Sequence, residues 1–198
     1  MKNLYLDLET FSSVNLKLNG LYKYAESPDS ELLLLAYSID ESPVRVIDFA
    51  NGDALPDCLI DAFFNERITK WAWNASFERV FLSVWLRRQG LSGSEYLDPK
   101  SWKCSMVWSA YMGLPLSLEQ AGSVLKLSEQ KLSEGKELVR YFCTPCRPTK
   151  ANGGRTRNMP SDAPDKWDQF VAYNRRDVEA EMGIIGRLGK FPVPDKVW

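Results

Sequence analysis

The sequence predicts an α/β fold with a mixed central β-sheet flanked by α-helices, and three observations carry that expectation. Strand-like segments lie mostly in the first third of the 198 residues. Helical apolar spacing takes over after them. The longest helical stretch comes last, with Pro164 suited to its first turn and Gly189 to its end. Strands first and helices after them form one sheet with helices packed on it.

Residues 2–8 alternate, with Leu4, Leu6 and Leu8 on one face and Asn3, Tyr5 and Asp7 on the other, which is the pattern of a strand. A loop of Ser, Asn and Gly runs through Asn19 and Gly20. Leu32–Ile39 is apolar enough for a buried strand, and Ser42-Pro43 turns it into a second one at Val44–Phe49. Asp57–Phe64 reads as a helix and Ile68–Trp73 as a strand. The spacing of Phe77, Val80, Phe81, Val84 and Trp85 predicts an amphipathic helix capped by Asn74. Trp102–Tyr111 and Ser117–Leu127 read as helices, the second with Gln120 at capping-box distance from Ser117. Leu132–Phe142 continues the helical region, and Cys143–Asp162 is a loop rich in Pro, Gly and Arg.

Composition bounds the chemistry. Hydrophobic residues at 44% and charged residues at 26% are those of a folded domain. Residues 1–190 are expected to form it, with 191–198 as a Pro-containing linker stub toward a further domain. The longest apolar run, Leu32–Ala36, is far too short for a membrane span, and the acids in the first ten residues exclude a signal peptide. The expected location is therefore the cytoplasm. The net charge is −1, so any contact with nucleic acid must come from a local patch. There is no histidine, which removes Ser-His-Asp triads, HExxH zinc sites and every imidazole base.

What remains is carboxylates, and they are patterned. Asp7 and Glu9 sit two apart on one face at the end of the first strand, where like charges repel unless a cation lies between them. Glu78 falls in the first turn of a helix, a place the helix dipole also favours for an acid. Tyr173 and Asp177 are four apart on the last helix, about 5–6 Å from each other at Cβ. Taken alone, the first and third elements also read as solvated surface pairs and the second as an acid favoured by the helix dipole. Together, four acids and a tyrosine fit two-metal phosphodiester hydrolysis, in which two hard cations about 3.5–4 Å apart need several oxygen ligands.

In order and separation these segments resemble the three motifs of the DEDD exonucleases, an RNase H-like family, in its tyrosine-bearing DEDDy branch. The histidine branch would need His at the position of Ala172. Nearly the whole chain is similar to the exonuclease region of phage-type, family A DNA polymerases, through LDLETFSSVNLKLNGLYKYAES, LLLLAYSID, WAWNASFERVFL, KCSMVWSAYMGLPLSLE, CRPTKANGGRTRN and AYNRRDVEAEM. The resemblance implies a 3′→5′ exonuclease that proofreads for a polymerase, encoded by a phage or prophage in a bacterial host. It implies two Mg²⁺ or Mn²⁺ ions on Asp7, Glu9, Glu78 and Asp177, and Tyr173 orienting the attacking water. Thr10, Asn74 and Phe77 match positions that in the family lie against the terminal nucleotide of a single-stranded or frayed 3′ end or support the site. Glu78 departs from the family, which usually has Asp there. An RNA 3′ exonuclease and a DNA-binding module that has lost activity are the alternative readings.

Two features stand apart from the motifs. Between Arg140 and Ser161 there are five cations and no acid. Arg147, Lys150, Arg155 and Arg157 of this stretch are candidate phosphate contacts, and a solvated loop is the plainer alternative. Cys143 and Cys146 have the spacing of half a zinc site, but completing it would need Cys58 and Cys104, which are not paired, so free thiols are expected.

Overall fold

Alternation along the first strand decides the architecture. In the computed structural model, β1 (Asn3–Phe11) turns Leu4, Leu6 and Leu8 to one side of a sheet and Tyr5, Asp7 and Glu9 to the other. The structure describes residues 1–92, 95–127, 135–194 and 197. Residues 132–134 of the expected helical stretch, and 195, 196 and 198 of the expected linker, lie outside the described residues.

Two short helices, α1 (Leu16–Asn19) and α2 (Leu21–Ala25), follow β1, and then the strands β2 (Glu31–Ile39) and β3 (Arg45–Asp48). Helix α3 (Asp57–Phe64) leads to β4 (Thr69–Ala72) and α4 (Ala75–Arg88). A short β5 (Trp102–Cys104) runs into α5 (Ser105–Tyr111), followed by α6 (Leu118–Val124), α7 (Gly135–Phe142) and the long α8 (Pro164–Leu188). Among the described residues the sheet order is β3-β2-β1-β4-β5. β1 pairs antiparallel with β2 and parallel with β4, so the sheet is mixed, as the sequence predicts.

Helices cover both faces. Leu4, Leu6 and Leu8 pack with Tyr24 of α2, Leu59 and Phe63 of α3, and Val80, Phe81 and Val84 of α4. Each such side chain stabilises the fold by about 1.5–3 kcal/mol on full burial. On the other face, Tyr5, Ala36 and Trp71 meet Trp108 of α5 and Val178 and Ile184 of α8, while Phe142 of α7 stacks on Phe170 of α8. The acids of β1 therefore point at α8. Among the described residues no helix is long and apolar enough to cross a membrane.

Three expectations are corrected. Trp102–Cys104 is not helical but pairs with Lys70, Trp71 and Ala72 as an edge strand, whose three residues are too few for alternation to show. The stretch through Gly20 is not a plain loop: the Asn15 side chain accepts from the Lys17 and Leu18 amides and starts α1, and Gly20 at φ +80° separates it from α2. Asn74 and Ser117 occupy N-cap positions, but neither side chain makes a capping bond. Among the buried polar residues of the strands, Lys70 on β4 is 0% exposed, its ammonium donating to the Asn65 carbonyl at 2.7 Å and Ser101 Oγ at 2.8 Å. Burial lowers its pKa to about 8.

Candidate active site

Three elements bring the acids together. β1 supplies Asp7 and Glu9, the first turn of α4 supplies Glu78, and α8 supplies Tyr173 and Asp177. Asp7, Glu9 and Asp177 each offer a carboxylate oxygen, and the three oxygens lie within 4.8 Å of one another. This happens because β1 places its odd-numbered side chains under α8, while the four-residue spacing on α8 keeps Tyr173 and Asp177 on the face turned to the sheet. Asp7, Asn74, Glu78, Lys136, Tyr173 and Asp177 border one open cleft of about 430 Å³.

The electrostatics are those of a site with too many acids. Glu78 is 4% exposed, and burial, then the nearby Asp7, push its carboxyl well above the usual range. Its Oε2 is buried and has no hydrogen-bond partner among the described residues. A fifth acid, Glu181, is 1% exposed and is likewise raised by burial, with Asp7 and Asp177 adding to the shift. Such an arrangement is stable as a set of charges only when a cation offsets the repulsion. Oxygen donors of this type suit hard divalent ions such as Mg²⁺ or Mn²⁺, so Asp7, Glu9 and Asp177 could hold one, with Glu78 adjoining.

Tyr173 keeps its proton. Burial, then the charges of Glu9, Asp177 and Asp7, raise the phenol far above its ordinary value, and it hydrogen-bonds to Asp177. The residue is thus a donor that can orient a water, not a base. Its ring stacks near-parallel to Phe170 and lies against the bare backbone of Gly135, at the start of α7.

Several residues that matter here carry no motif signal. Asn174, fully buried, donates from Nδ2 to Asp7 Oδ2 at 2.7 Å and to the Asp7 carbonyl at 3.3 Å, fixing that carboxylate. The buried Cys143 thiol donates to Glu9 Oε2 at 3.6 Å. Ser105 donates to Glu181 Oε1 at 2.6 Å. Glu181 alone had a readable signal, since it continues the four-residue spacing of Tyr173 and Asp177.

Other expected site residues lie elsewhere. Thr10 is buried away from the cleft, sharing a hydrogen bond of 2.9 Å with the Tyr24 hydroxyl, and Phe77 stacks on Phe81. In the basic loop, Arg157 pairs with Glu31 at 2.6 Å and lies over the Phe11 ring, and Arg155 pairs with Asp162 at 3.2 Å, so both tie the loop to the fold. Arg147 and Lys150 are exposed and make no ion pair among the described residues. Cys143 faces Glu9, whereas Cys146 Sγ is directed to the Arg155 carbonyl at 3.4 Å. Among the described residues the two thiols belong to no metal-ligating cluster.

No family model matches the chain. It is 45% identical over 191 residues to a DNA polymerase of Bacillus phage SP02, an alignment covering 96% of this chain and 28% of the polymerase. The chain thus spans little more than a quarter of the curated relative it matches. Among solved structures, the family B DNA polymerase of the archaeon Pyrobaculum calidifontis superposes with a TM-score of 0.55 at 16% identity, over 96% of this chain and 24% of that one. The EXO domain of Aedes aegypti Nibbler gives a TM-score of 0.47 at 12% identity, over 98% and 83% of the two chains. The mixed five-stranded sheet with helices on both faces is RNase H-like.

Proposed function

We propose that this RNase H-like domain, a relative of one section of a phage DNA polymerase, is a divalent-cation-dependent 3′→5′ exonuclease that releases 5′-mononucleotides from DNA and proofreads for a polymerase. The observation that carries this reading is the convergence of carboxylate oxygens of Asp7, Glu9 and Asp177 within 4.8 Å, with Tyr173 hydrogen-bonded to Asp177. Asp7, Glu9 and Asp177, joined by Glu78 directly or through water, would hold two Mg²⁺ or Mn²⁺ ions. Such ions stabilise the charge that builds on the attacking and leaving oxygens of an in-line displacement.

The chain's own residues then have distinct tasks. Tyr173 donates its hydrogen bond and aligns the attacking water, because a phenol so firmly protonated does not take a proton. The water oxygen bonds to the phosphorus of the last phosphodiester. The bond from that phosphorus to the 3′ oxygen of the preceding nucleotide breaks, and this oxygen leaves as a hydroxyl, taking up a proton from solvent while the attacking water gives one up to solvent. Asn174 and Cys143 hold the Asp7 and Glu9 carboxylates in place. Asn74, on the cleft, contacts the terminal nucleotide, and Thr10 and Phe77 support that wall from behind. Arg147 and Lys150 meet phosphates, while Arg155 and Arg157 shape the loop that carries them.

The test is hydrolysis of a 5′-labelled DNA oligomer with a 3′ overhang, in Mg²⁺ or Mn²⁺ and then in chelator, beside a matched RNA. A cation-dependent ladder shortening from the 3′ end, faster on DNA than on RNA, is the expected result. Faster loss of RNA would reassign the substrate. No cleavage by folded protein that binds DNA would make the domain a non-catalytic binding module.

A further inference from the structure

Helix α7 separates the acid cleft from a second concavity. Lys136 and Val139 border the carboxylates, whereas Glu137, Arg140 and Tyr141 face the other way, into a cavity of about 570 Å³. Four cations from three parts of the chain line it: Arg140 from α7, Arg147 and Arg155 from the loop after it, and Lys166 from α8. Glu137 is the one acid among the lining residues. For a chain of net charge −1, that is a strong local concentration of one sign.

The cations are held there by construction. Asn152 accepts from the Thr149 and Gly154 amides and donates to the Arg147 and Arg155 carbonyls at 3.0 and 3.3 Å. Gly153 and Gly154, at φ +67° and +78°, supply the left-handed turn this bonding needs. Arg155 is locked by Asp162, by Asn158 Oδ1 at 3.0 Å and by the Tyr141 hydroxyl, and Lys166 Nζ sits 4.5 Å above the Tyr141 ring. Arg140 and Arg147 make no ion pair among the described residues and are exposed. A charge run on a solvated loop has no reason to bring cations from two helices and a turn into one hollow.

We infer that this hollow is a second binding site, for backbone phosphates of a single nucleic-acid strand whose 3′ end lies at the carboxylates. The inference deepens the exonuclease reading and rests on it for the placing of that end. A helix is about 10–12 Å across with its side chains. A strand therefore passes α7 only after several nucleotides, and a dinucleotide held at the acids ends short of the hollow. Arg140 and Arg147 are the two free hands of the site; Arg155 and Lys166 form its wall.

The test is binding of labelled dinucleotide and dodecamer oligothymidylates by fluorescence anisotropy in Ca²⁺, to the intact chain and to the double variant Arg140→Gln/Arg147→Gln. A charge-matched control, Lys23→Gln/Arg45→Gln, removes two exposed cations from elsewhere on the fold. The hollow variant is expected to weaken dodecamer binding by about tenfold or more, to change dinucleotide binding less, and to reduce the salt slope by about 1.4. The control should keep the parent slope within about half of that change. Unchanged dodecamer affinity and slope, equal losses in the control, or no dodecamer binding by the unaltered chain would each overturn the site. Because binding is read without hydrolysis, a chain that grips the dodecamer here but cleaves nothing sinks only the enzyme reading. A chain that cleaves, with a hollow variant that binds the dodecamer as before, sinks only this one.

Discussion

Asp177→Asn is expected to cut hydrolysis by at least about a thousand-fold, roughly 4 kcal/mol of transition-state stabilisation, while making the cation-free protein more stable. Both effects have one cause. Asp177 stands within 4.8 Å of Asp7 and Glu9, and its charge also raises Glu181 and Tyr173. Removing that charge keeps the volume and an acceptor for Tyr173, relieves repulsion among buried acids, and deletes a cation ligand. The gain in stability should be on the order of one kcal/mol. Its pH dependence has a definite sign. Glu78 and Glu181 hold protons in the folded state that the unfolded chain releases above the ordinary value of 4.5. Their contribution is therefore fully present below that pH and is lost as pH rises through the raised values. Melting in chelator across this range, with kinetics on a DNA oligomer, checks both parts. A variant that is active, or less stable without cations, would contradict the account.

Gly135→Ala should be nearly as damaging to turnover as Tyr173→Phe, although Gly135 touches no candidate substrate atom. A Cβ at this position would lie 1.9 Å from Tyr173 Cε2 and 2.7 Å from Cζ, which no real contact tolerates. The ring is boxed in by Phe170 and α8, so it has to tilt, and a phenol displaced by about 1 Å loses on the order of a hundred-fold in rate. Overpacking adds about 1–3 kcal/mol of destabilisation. The discriminating measurement is a double-mutant cycle. In a Tyr173→Ala background the ring is gone, so Gly135→Ala should cost no stability, because helix propensity favours Ala over Gly. An unchanged cost in that background would place the clash elsewhere.

The legible part of this protein was the part with periodicity. Alternation in β1 correctly put Leu4, Leu6 and Leu8 on one side of the sheet and Tyr5 and Asp7 on the other, and the four-residue step from Tyr173 to Asp177 put both on one face of α8, which the structure turns inward. Those two patterns carry Asp7, Tyr173 and Asp177, whereas Glu78 reaches the site from the first turn of α4. Edge features were not legible. Trp102–Cys104 is a strand only because β4 lies beside it, and three residues carry no pattern of their own. Likewise Asn174 and Cys143 reach Asp7 and Glu9 through contacts 167 and 134 residues apart in the chain, which no local spacing reveals. The basic stretch shows a finer limit. Its composition disclosed five cations but not their division of labour: Arg157 pairs with Glu31, Arg155 pairs with Asp162 at the wall of the hollow, Arg140 and Arg147 face into it, and Lys166 joins them from α8.

Calorimetric titration of Mn²⁺ into the chelator-stripped chain asks whether Asp7, Glu9, Glu78 and Asp177 form one divalent-cation centre. The account predicts saturable binding of two ions per chain, absent after Asp7→Ala and accompanied by a rise in melting temperature in the unaltered chain. Binding that survives Asp7→Ala, or no saturable binding by a chain that is demonstrably folded, would contradict it.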